Sequence, residues 1–384
     1  MHFILLATNL EAKMNSLSEI YFTTERYLFP MVEEEIGEIS EKMKEFLRIV
    51  ETIRPARFLT DALRWCGLGR PMKDREHILR SFFMKSVYDF PTTKVLIENL
   101  KTNPSLRYLC GWESRSAVPS EATFSRAFSI FTSERILEEV HTVLIQENYK
   151  EKLVGHASID STAIEGREKA CRIAEKKPKI KKKRGRKSKA EKEAMLKAEL
   201  EESHTRRLAL QGGRTLEANL EDLPQGCNWG GKRDSKGNAY HWRGYKLHLS
   251  IGDGGVPLAS VLSSASLHDS QVAIPLMQKV AERATVLYDL ADSGYDAGEI
   301  RDFSSQLGHV PIIDCNKRRG EYIPFAPAEQ RRYCERSTVE RGNSDLKDNY
   351  GARHVRVKGH WKVWCHLMFG VIAIAVKQLY NMIV

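Results

Sequence analysis

The chain has 384 residues, of which 42% are hydrophobic and 29% are charged, with 60 Lys and Arg against 50 Asp and Glu. This composition is typical of a globular protein of two or three domains and excludes disorder of the whole chain. The seven cysteines are odd in number, widely spaced and never arranged as Cys-x-x-Cys. They argue against a disulfide scaffold or a zinc site and favour a reducing compartment.

The excess of ten positive charges traces to a single segment, residues 176–189, with the sequence KKPKIKKKRGRKSK. This segment holds ten basic residues and no acid, so the rest of the chain balances at 50 basic against 50 acidic residues. We therefore interpret the basic character as an insert in a neutral body. A charge run of this kind indicates a nucleic-acid partner or another acidic partner.

Neither end of the chain indicates a membrane anchor. The N-terminal stretch MHFILLATNLEAK has no basic region before its apolar run and no clear cleavage site, so we expect no signal peptide. The apolar run from Leu367 to Val376 is too short to span a bilayer and predicts a buried helix.

The first part of the chain, residues 1–150, is predicted to be a helical domain. From residue 15 onward it shows helix-type spacing, acidic first turns and few β-branched runs. Within it, Val118 to Phe131 begins with a Pro-Ser helix entry and places Arg126 on a short helix. Both a helix-turn-helix and a plain helical bundle are compatible with this pattern.

The second part, residues 151–384, has the alternation of an α/β domain with a mixed sheet. Its predicted elements are, in order, the strand HASIDSTAI, a hairpin of YKLHLSI and PLASVLSS around GDGG, a helix from Ser270 to Arg283, the strand TVLYDL, a helix from Gly298 to Gln306, the strand HVPIID and helices from about Arg332 onward.

An insertion, residues 166–238, interrupts this α/β pattern between its first strand and the hairpin. It contains the basic run, then the strong helix former AEKEAMLKAELEESHTRRLALQ, then a Gly-rich polar stretch. We expect a basic, partly helical insertion that projects from the sheet.

Two aspartates lie within or directly after predicted strands. Asp160 lies in HASIDSTAI, where Ala157 and Ile159 can face the core while Asp160 faces the other side. Asp292 follows TVLYDL, where Gly294 permits a sharp turn. In open α/β sheets, functional groups collect in the crevice at strand carboxyl ends.

A third acid, Glu340, lies in a patterned segment, YCERSTVERGNSDLK. Tyr333, Arg336, Glu340 and Lys347 are spaced so that a continuous α-helix would place them in a stripe roughly 60° wide over about 21 Å. Side chains of these types can meet phosphate or metal. The segment therefore predicts a functional helix face.

The Tyr-(2)-Arg-(3)-Glu-(6)-Lys spacing matches the signature of DDE transposases of bacterial insertion sequences. IDST around Asp160 and ADSGYD around Asp292 resemble the two aspartate motifs of the same family, and GYKLH and SLHDS resemble its connecting segments. The resemblance covers roughly residues 155–384, apart from the 166–238 stretch. Some members carry a β-rich insertion between the second aspartate and the glutamate. Here these two acids are too close in sequence for one.

The resemblance implies a ribonuclease-H-like catalytic domain that cleaves DNA and joins the freed 3′-hydroxyl ends to target DNA. It implies two Mg²⁺ (or Mn²⁺) ions per active site, with Asp160 bridging both ions and Asp292 and Glu340 each completing one site. Arg336, Lys347 and Tyr333 would bind DNA phosphates.

The implied partners are the terminal inverted repeats of a mobile element and its target DNA. The chain would act as a homodimer or larger complex, in the bacterial cytoplasm and associated with the nucleoid. No membrane is implied.

Simpler interpretations of the acids stay open. Asp160 could be a strand-end acid, Asp292 a turn former, and Glu340 half of a salt bridge with Arg336. Asp289 competes with Asp292 and is expected to face solvent. The alternative functions are a stand-alone structure-selective nuclease, and a DNA-binding regulator or transposition repressor with a decayed site.

Within the basic run, KKKRGRKSK resembles an AT-hook, whose Arg-Gly-Arg core enters the minor groove of A·T-rich DNA. The usual Pro after the core is replaced by Lys187. The alternative is a solvated linker that binds phosphates without reading sequence. In both cases the predicted DNA contacts are Lys183, Arg184, Arg186 and Lys187.

Overall fold

The computed structural model describes residues 16–59, 73–171, 188–189, 191–193, 195, 205–233, 237–316 and 323–383. The first half of the chain is helical, as predicted. Its helices are α1 Leu17–Thr23, α2 Phe29–Ile36, α3 Glu41–Ile53, α4 Arg75–Val87, α5 Thr93–Thr102, α6 Pro104–Leu109, α7 Glu121–Ser133 and α8 Ile136–Tyr149, with a π-helical turn at Thr24–Leu28 between α1 and α2.

Side-chain caps start several of these helices. Ser40, Asp74, Thr92 and Asn103 each accept a hydrogen bond from a backbone N–H in the first turn of the helix they precede. Helix α7 buries one face, formed by Phe124, Ala127, Phe128 and Phe131, at the spacing of an amphipathic helix. Its opposite face is exposed and carries Arg126. This packing is compatible with both a helix-turn-helix and a plain helical bundle.

The second half contains a mixed sheet, which confirms the predicted α/β class. Its strands are β1 Leu153–Glu165, β2 Asn228–Arg233, β3 Ala239–Ile251, β4 Pro257–Ser264, β5 Thr285–Ala291 and β6 Val310–Ile313. β2 and β4 pair with different parts of β3, and the sheet continues as β3, β1, β5, β6. β1, β5 and β6 are parallel, whereas β1, β2 and β4 each run antiparallel to β3.

Helices cover the sheet and complete the ribonuclease-H-like order expected from the sequence. With β2 set aside, β1 is the first strand and β5 the fourth. The helices are α9 Arg207–Gln211, α10 Leu216–Asp222, α11 Ala273–Ala281, α12 Gly298–Gln306, α13 Pro327–Tyr333, α14 Ser337–Asn349 and α15 His360–Asn381. Short 3-10 turns lie at Asp253–Gly255, Asp269–Val272, Ser293–Tyr295 and Cys334–Arg336.

The described end of the insertion does not project from the sheet, contrary to our expectation. Gln211 Nε2 donates to the Gln271 carbonyl at 2.8 Å, and Asn219 Nδ2 donates to Gln278 Oε1 at 2.9 Å. These bonds hold α9 and α10 against α11 and the turn before it. Residues 228–233 then pair with β3, so the insertion also adds a strand.

Helix α15 is the central element of the core. Fifteen of its residues are buried, because it packs against α3, α4, α7 and α8 on one side and β4 on the other. It is longer than the predicted run. By length and composition this helix could cross a membrane. However, 83% of its most apolar 18-residue stretch is buried inside the protein. Burial on all sides accounts for its apolar composition.

Two glycines let α14 lie close to its neighbours. A Cβ on Gly342 would lie 2.2 Å from the Ile251 side chain of β3. A Cβ on Gly370 of α15 would lie 2.6 Å from the side chain of Leu346. These close approaches fix α14 over β1 and β3, and so fix the side chains that α14 presents to Asp160.

Candidate active site

Asp160 and Asp292 are neighbours at the same level of the sheet. β1 and β5 run parallel with Ile159 paired to Ala291, so the two aspartates are the next residues along adjacent strands. Asp292 ends its strand and caps the turn Ser293–Tyr295, where its Oδ1 accepts a hydrogen bond from the Gly294 N–H at 2.8 Å. Asp292 therefore also has the turn-forming role that the sequence allowed.

Asp160 is half-buried, and its charge is incompletely compensated. Burial raises the pKa of its carboxyl to about 6, and the negative charge of Asp292 adds to the rise. Lys232, Arg336 and a hydrogen bond from the Ser161 backbone oppose the rise without cancelling it. Two neighbouring carboxylates of this kind favour a bound cation.

Asn343, on α14, contacts Asp160 directly. Its Nδ2 donates to Asp160 Oδ2 at 3.1 Å, while its Oδ1 is buried and takes no hydrogen bond among the described residues. Asn343 was not predicted from the sequence. Its position, three residues after Glu340 and four before Lys347, puts it on the same helix face, and that spacing is the signal that could have found it.

The predicted continuous helix stripe is wrong in one respect. A 3-10 turn at Cys334–Arg336 separates α13 from α14, so Tyr333 and Arg336 are not on one regular α-helix. In a 3-10 turn, residues i and i+3 eclipse. The Arg336 guanidinium accordingly lies 5.7 Å from the centre of the Tyr333 ring.

Glu340 is held by Arg336 in this structure. Arg336 Nη2 lies 2.6 Å from Glu340 Oε1, and the Glu340 side chain is 55% exposed. The alternative salt bridge is thus formed. Because exposed ion pairs of this type contribute about 0.3–0.5 kcal/mol, another cation could displace Arg336 at small cost.

Two lysines add positive charge close to Asp160. Lys347 is affected by the charges of Asp160 and of Lys232, although burial is the main cause of its lowered pKa. Lys232 Nζ donates to the carbonyl oxygen of Ser161 at 2.7 Å and to its Oγ at 2.8 Å. Lys232 comes from the end of the insertion.

Lys232 was not predicted as a site residue either, because β2 was not predicted. The usable signal was the polar segment DSKGN between two runs that can pair, with Gly237 at a positive φ of 87°. Lys232 also lies 3.7 Å from Asp269, which forms a closer ion pair of 2.8 Å with Lys246. Because Asp269 is engaged in these ion pairs, we do not count it with Asp160 and Asp292.

Asp289 is buried, so the expectation that it faces solvent is wrong. It is 2% exposed, and its Oδ2 accepts hydrogen bonds from Ser304 Oγ at 2.6 Å and from His309 Nδ1 at 2.9 Å. Its role is to fix α12 to β5. This satisfied acid gives a useful contrast with Asp160.

The donors match a hard divalent cation in chemical type. Asp160 and Asp292 offer carboxylate oxygens, and Asn343 has a buried amide oxygen without a partner in the described part of the chain. Glu340 lies one turn from Asn343 on the same helix. Within the described residues no three His, Cys, Asp or Glu side chains converge on one point, and Glu340 is paired with Arg336.

The predicted DNA contacts in the basic run, Lys183, Arg184, Arg186 and Lys187, lie outside the described residues. Their assignment stays a prediction.

Comparison with protein families gives two matches. The family described as Transposase DDE domain matches residues 155–376, and the one described as Transposase domain (DUF772) matches residues 34–129. No curated protein and no solved structure matches the chain. The DDE match covers more than half of the sequence, including Asp160, Asp292 and the whole Tyr-Arg-Glu-Lys segment. The chain belongs to the DDE transposases, a family of nucleic-acid-cleaving enzymes.

Proposed function

We propose that this transposase binds the ends of its mobile element, cleaves phosphodiester bonds there and joins the 3′-hydroxyl ends to target DNA. One observation carries the proposal. The strands and helix that bear the three predicted acids meet, so that Asp160 lies beside Asp292 and is hydrogen-bonded by Asn343, one helical turn from Glu340.

Asp160, Asp292 and Glu340 are the residues we propose to hold two Mg²⁺ or Mn²⁺ ions. When bound, such ions activate water and stabilise the leaving oxygen of a phosphodiester. Glu340 would release Arg336 and bind a metal ion in its place. Arg336 would then be free to bind a phosphate by its bidentate fork.

The remaining residues would position the DNA. Lys347 and Lys232 place positive charge beside the acids, where a phosphate brings negative charge. Tyr333 offers a hydroxyl next to Arg336. Asn343 would orient the Asp160 carboxylate.

The test begins with the DNA that flanks the gene, because inverted repeats there define the substrate. Purified protein is then incubated with a duplex ending in that repeat, a target plasmid and Mg²⁺. We expect nicking at the element end and joined products. If Asp160→Ala, Asp292→Ala and Glu340→Ala all retain full cleavage and joining, the assignment is wrong.

The same assay separates the alternative functions. A stand-alone nuclease would cleave without joining ends, and a repressor with a decayed site would bind without cleaving. The intact set of acids and the charge left on Asp160 favour the active enzyme.

We further propose that residues 1–150 bind the element ends, that the chain acts as a dimer or larger complex, and that it works on the nucleoid in the bacterial cytoplasm. The basic run would bind DNA through its phosphates. Deleting residues 176–189 should weaken DNA binding and flatten its salt dependence, while a metal-dependent nicking activity survives. An unchanged salt slope would contradict this role.

A further inference from the structure

A basic cavity lies between the helical first half and the DDE domain, distinct from the pair of aspartates. Its volume is about 510 Å³. Its Lys and Arg lining residues come from three separate segments of the chain and are Lys85, Arg167, Arg356, Lys358 and Lys362. Glu121 is the one acid among the lining residues, so the wall carries a net positive charge.

Lys85 is the least expected of these side chains. It is 8% exposed, lies in the last turn of α4 and has no hydrogen bond or ion pair with any residue of the described ranges. Asp89 is the acid whose charge acts on it, and that acid lies 3.8 Å from His354 instead. Burying an ammonium without a partner is costly, so a site that keeps one indicates an anionic ligand.

The cations at the rim of the cavity also lack ion pairs with described residues. Arg167, Arg356 and Lys358 are exposed, and neither they nor Lys362 has an ion pair within the described part of the chain. Elsewhere in the molecule several buried or partly buried Lys and Arg are paired, such as Lys246 with Asp269. Five cations, Lys85 among them, thus line one opening without an ion pair to a described residue.

Helix ends add to the attraction for an anion. Thr93 of α5, Glu121 of α7 and Lys362 of α15 all lie in first turns and line the cavity. The N-terminal ends of helices carry partial positive charge and free backbone N–H groups. This arrangement complements the buried lysine.

Part of the cavity lining is apolar and consists of Phe82, Phe128 and Phe369. Aromatic rings and cations that line one cavity suit a phosphate that carries a sugar and a base. A bare inorganic anion would leave that apolar part unused.

We propose that this cavity binds a backbone phosphate of a DNA strand, with Lys85 as its buried anchor and Arg356 and Arg167 at its rim. The proposal rests on the proposed function in that it takes DNA as the substrate. It adds a contact away from the acids that joins the helical region to the DDE domain on the same strand.

The test measures DNA binding without catalysis. A fluorescein-labelled duplex of unrelated sequence is titrated with the full chain in EDTA over a series of salt concentrations. Lys85→Met should bind about ten-fold more weakly, with a salt slope smaller by about 0.9, because one phosphate contact is lost. Arg356→Gln should change the slope in the same direction, and it serves as the second variant should Lys85→Met fold poorly.

Lys101→Met is the matched control, since Lys101 lies at the far end of α5 and does not line the cavity. Its affinity and slope should follow the unmodified chain. If the unmodified chain binds DNA while Lys85→Met and Arg356→Gln bind equally well, the inference is overturned. If the unmodified chain does not bind DNA, the proposed function fails instead.

Free nucleotide is the competing source of the same phosphate chemistry. Excess deoxythymidine monophosphate is added in a thermal unfolding assay. Stabilisation of the unmodified chain but not of Lys85→Met, together with unchanged DNA affinity, would assign the cavity to a small phosphate ester and overturn the DNA assignment. We expect duplex DNA to stabilise the unmodified chain more than it stabilises Lys85→Met.

Discussion

Two clusters of charged side chains lie beside the sheet and differ in whether their central acid is ion-paired. Glu138 of α8 pairs with Lys279 at 2.7 Å and with Arg283, both of which are buried. At the other cluster Asp160 lies beside Asp292, a group of the same charge. We call the first cluster balanced, because its acid forms ion pairs with cations, and the second unbalanced, because Asp160 has no ion pair with a described residue.

The pKa values of the two central acids follow this difference. Burial alone would raise the pKa of Glu138, but the charges of Lys279 and Arg283 lower it to about 2. Burial raises the pKa of Asp160 to about 6, with Asp292 adding to the rise. Balanced charge fastens α8 to α11, whereas unbalanced charge leaves a site that attracts a cation.

His141 shows how completely the balanced cluster is satisfied. Its Nδ1 accepts a hydrogen bond from Arg283 Nη1 at 2.9 Å, and its Nε2 donates to the Pro257 carbonyl at 2.8 Å. Burial lowers the pKa of His141 to about 3, with the charge of Arg283 acting in the same direction, so the ring stays neutral. The cluster thereby connects α8 with the start of β4.

The largest expected effect comes from replacing the acid at the unbalanced site. Asp160→Asn should lower the rate of cleavage at element ends on the order of 10⁴-fold, because we propose that Asp160 holds the metal ions that act on the reacting phosphate. The free energy of unfolding should stay the same or increase, since a repulsion with Asp292 is removed. Cleavage rates and urea denaturation measure the two quantities.

Asp289→Asn is the matched control, because it makes the same change on the neighbouring strand. The Asp289 carboxylate accepts hydrogen bonds from Ser304 and His309. The substitution should lower the free energy of unfolding by about 1–3 kcal/mol and leave the activity of the folded fraction unchanged. If Asp160→Asn instead loses stability and keeps activity, the contrast between the acids is wrong.

At the balanced cluster, the expected loss is of stability. Glu138→Gln leaves Lys279 and Arg283 without their carboxylate, and should lower the free energy of unfolding by about 3 kcal/mol. Since the folded pKa is depressed, the contribution of Glu138 is present above about pH 4.5 and is lost as the pH falls toward about 2. A pH series of chemical denaturation should show this loss in the unmodified chain and not in Glu138→Gln.

Lys85 extends the comparison to an unbalanced cation. Burial lowers its pKa to about 8 from the usual 10.5, so the folded protein releases this proton at lower pH than the unfolded chain does. The free energy of unfolding should therefore rise by about 2–3 kcal/mol between about pH 8 and pH 10.5. The rise should be missing in Lys85→Met and present in Lys101→Met. Equal curves for all three proteins would contradict a buried, unpaired Lys85.

The smallest expected effect is at Asn343. Asn343→Leu keeps the size of the side chain but removes the donor to Asp160, and should lower the rate of cleavage by about 10–100-fold. Asn349→Leu on the same helix is the control, because Asn349 is exposed and bonds to Asp345. The apparent Mg²⁺ requirement should shift in Asn343→Leu alone. An unchanged rate and Mg²⁺ requirement would remove Asn343 from the site.

Much of the fold was predictable from local pattern. The hairpin of β3 and β4, the strands that hold Asp160 and precede Asp292, and the helix from Gly298 to Gln306 all formed as the spacing predicted. Helix and strand periodicity are properties of neighbouring residues, so a single sequence reveals them. β2 was missed because its glycines and polar residues hide the alternation of a strand.

The sequence by itself determined the location of the charge excess, the order of the elements and the Tyr-Arg-Glu-Lys spacing that marks the family. Only the tertiary structure decided that Asn343 and Lys232 join Asp160, that Arg336 holds Glu340, and that Lys85 is buried without a partner. The reason is physical. Periodicity comes from residues a few positions apart, whereas compensation of a charge depends on groups that the fold brings together from distant parts of the chain.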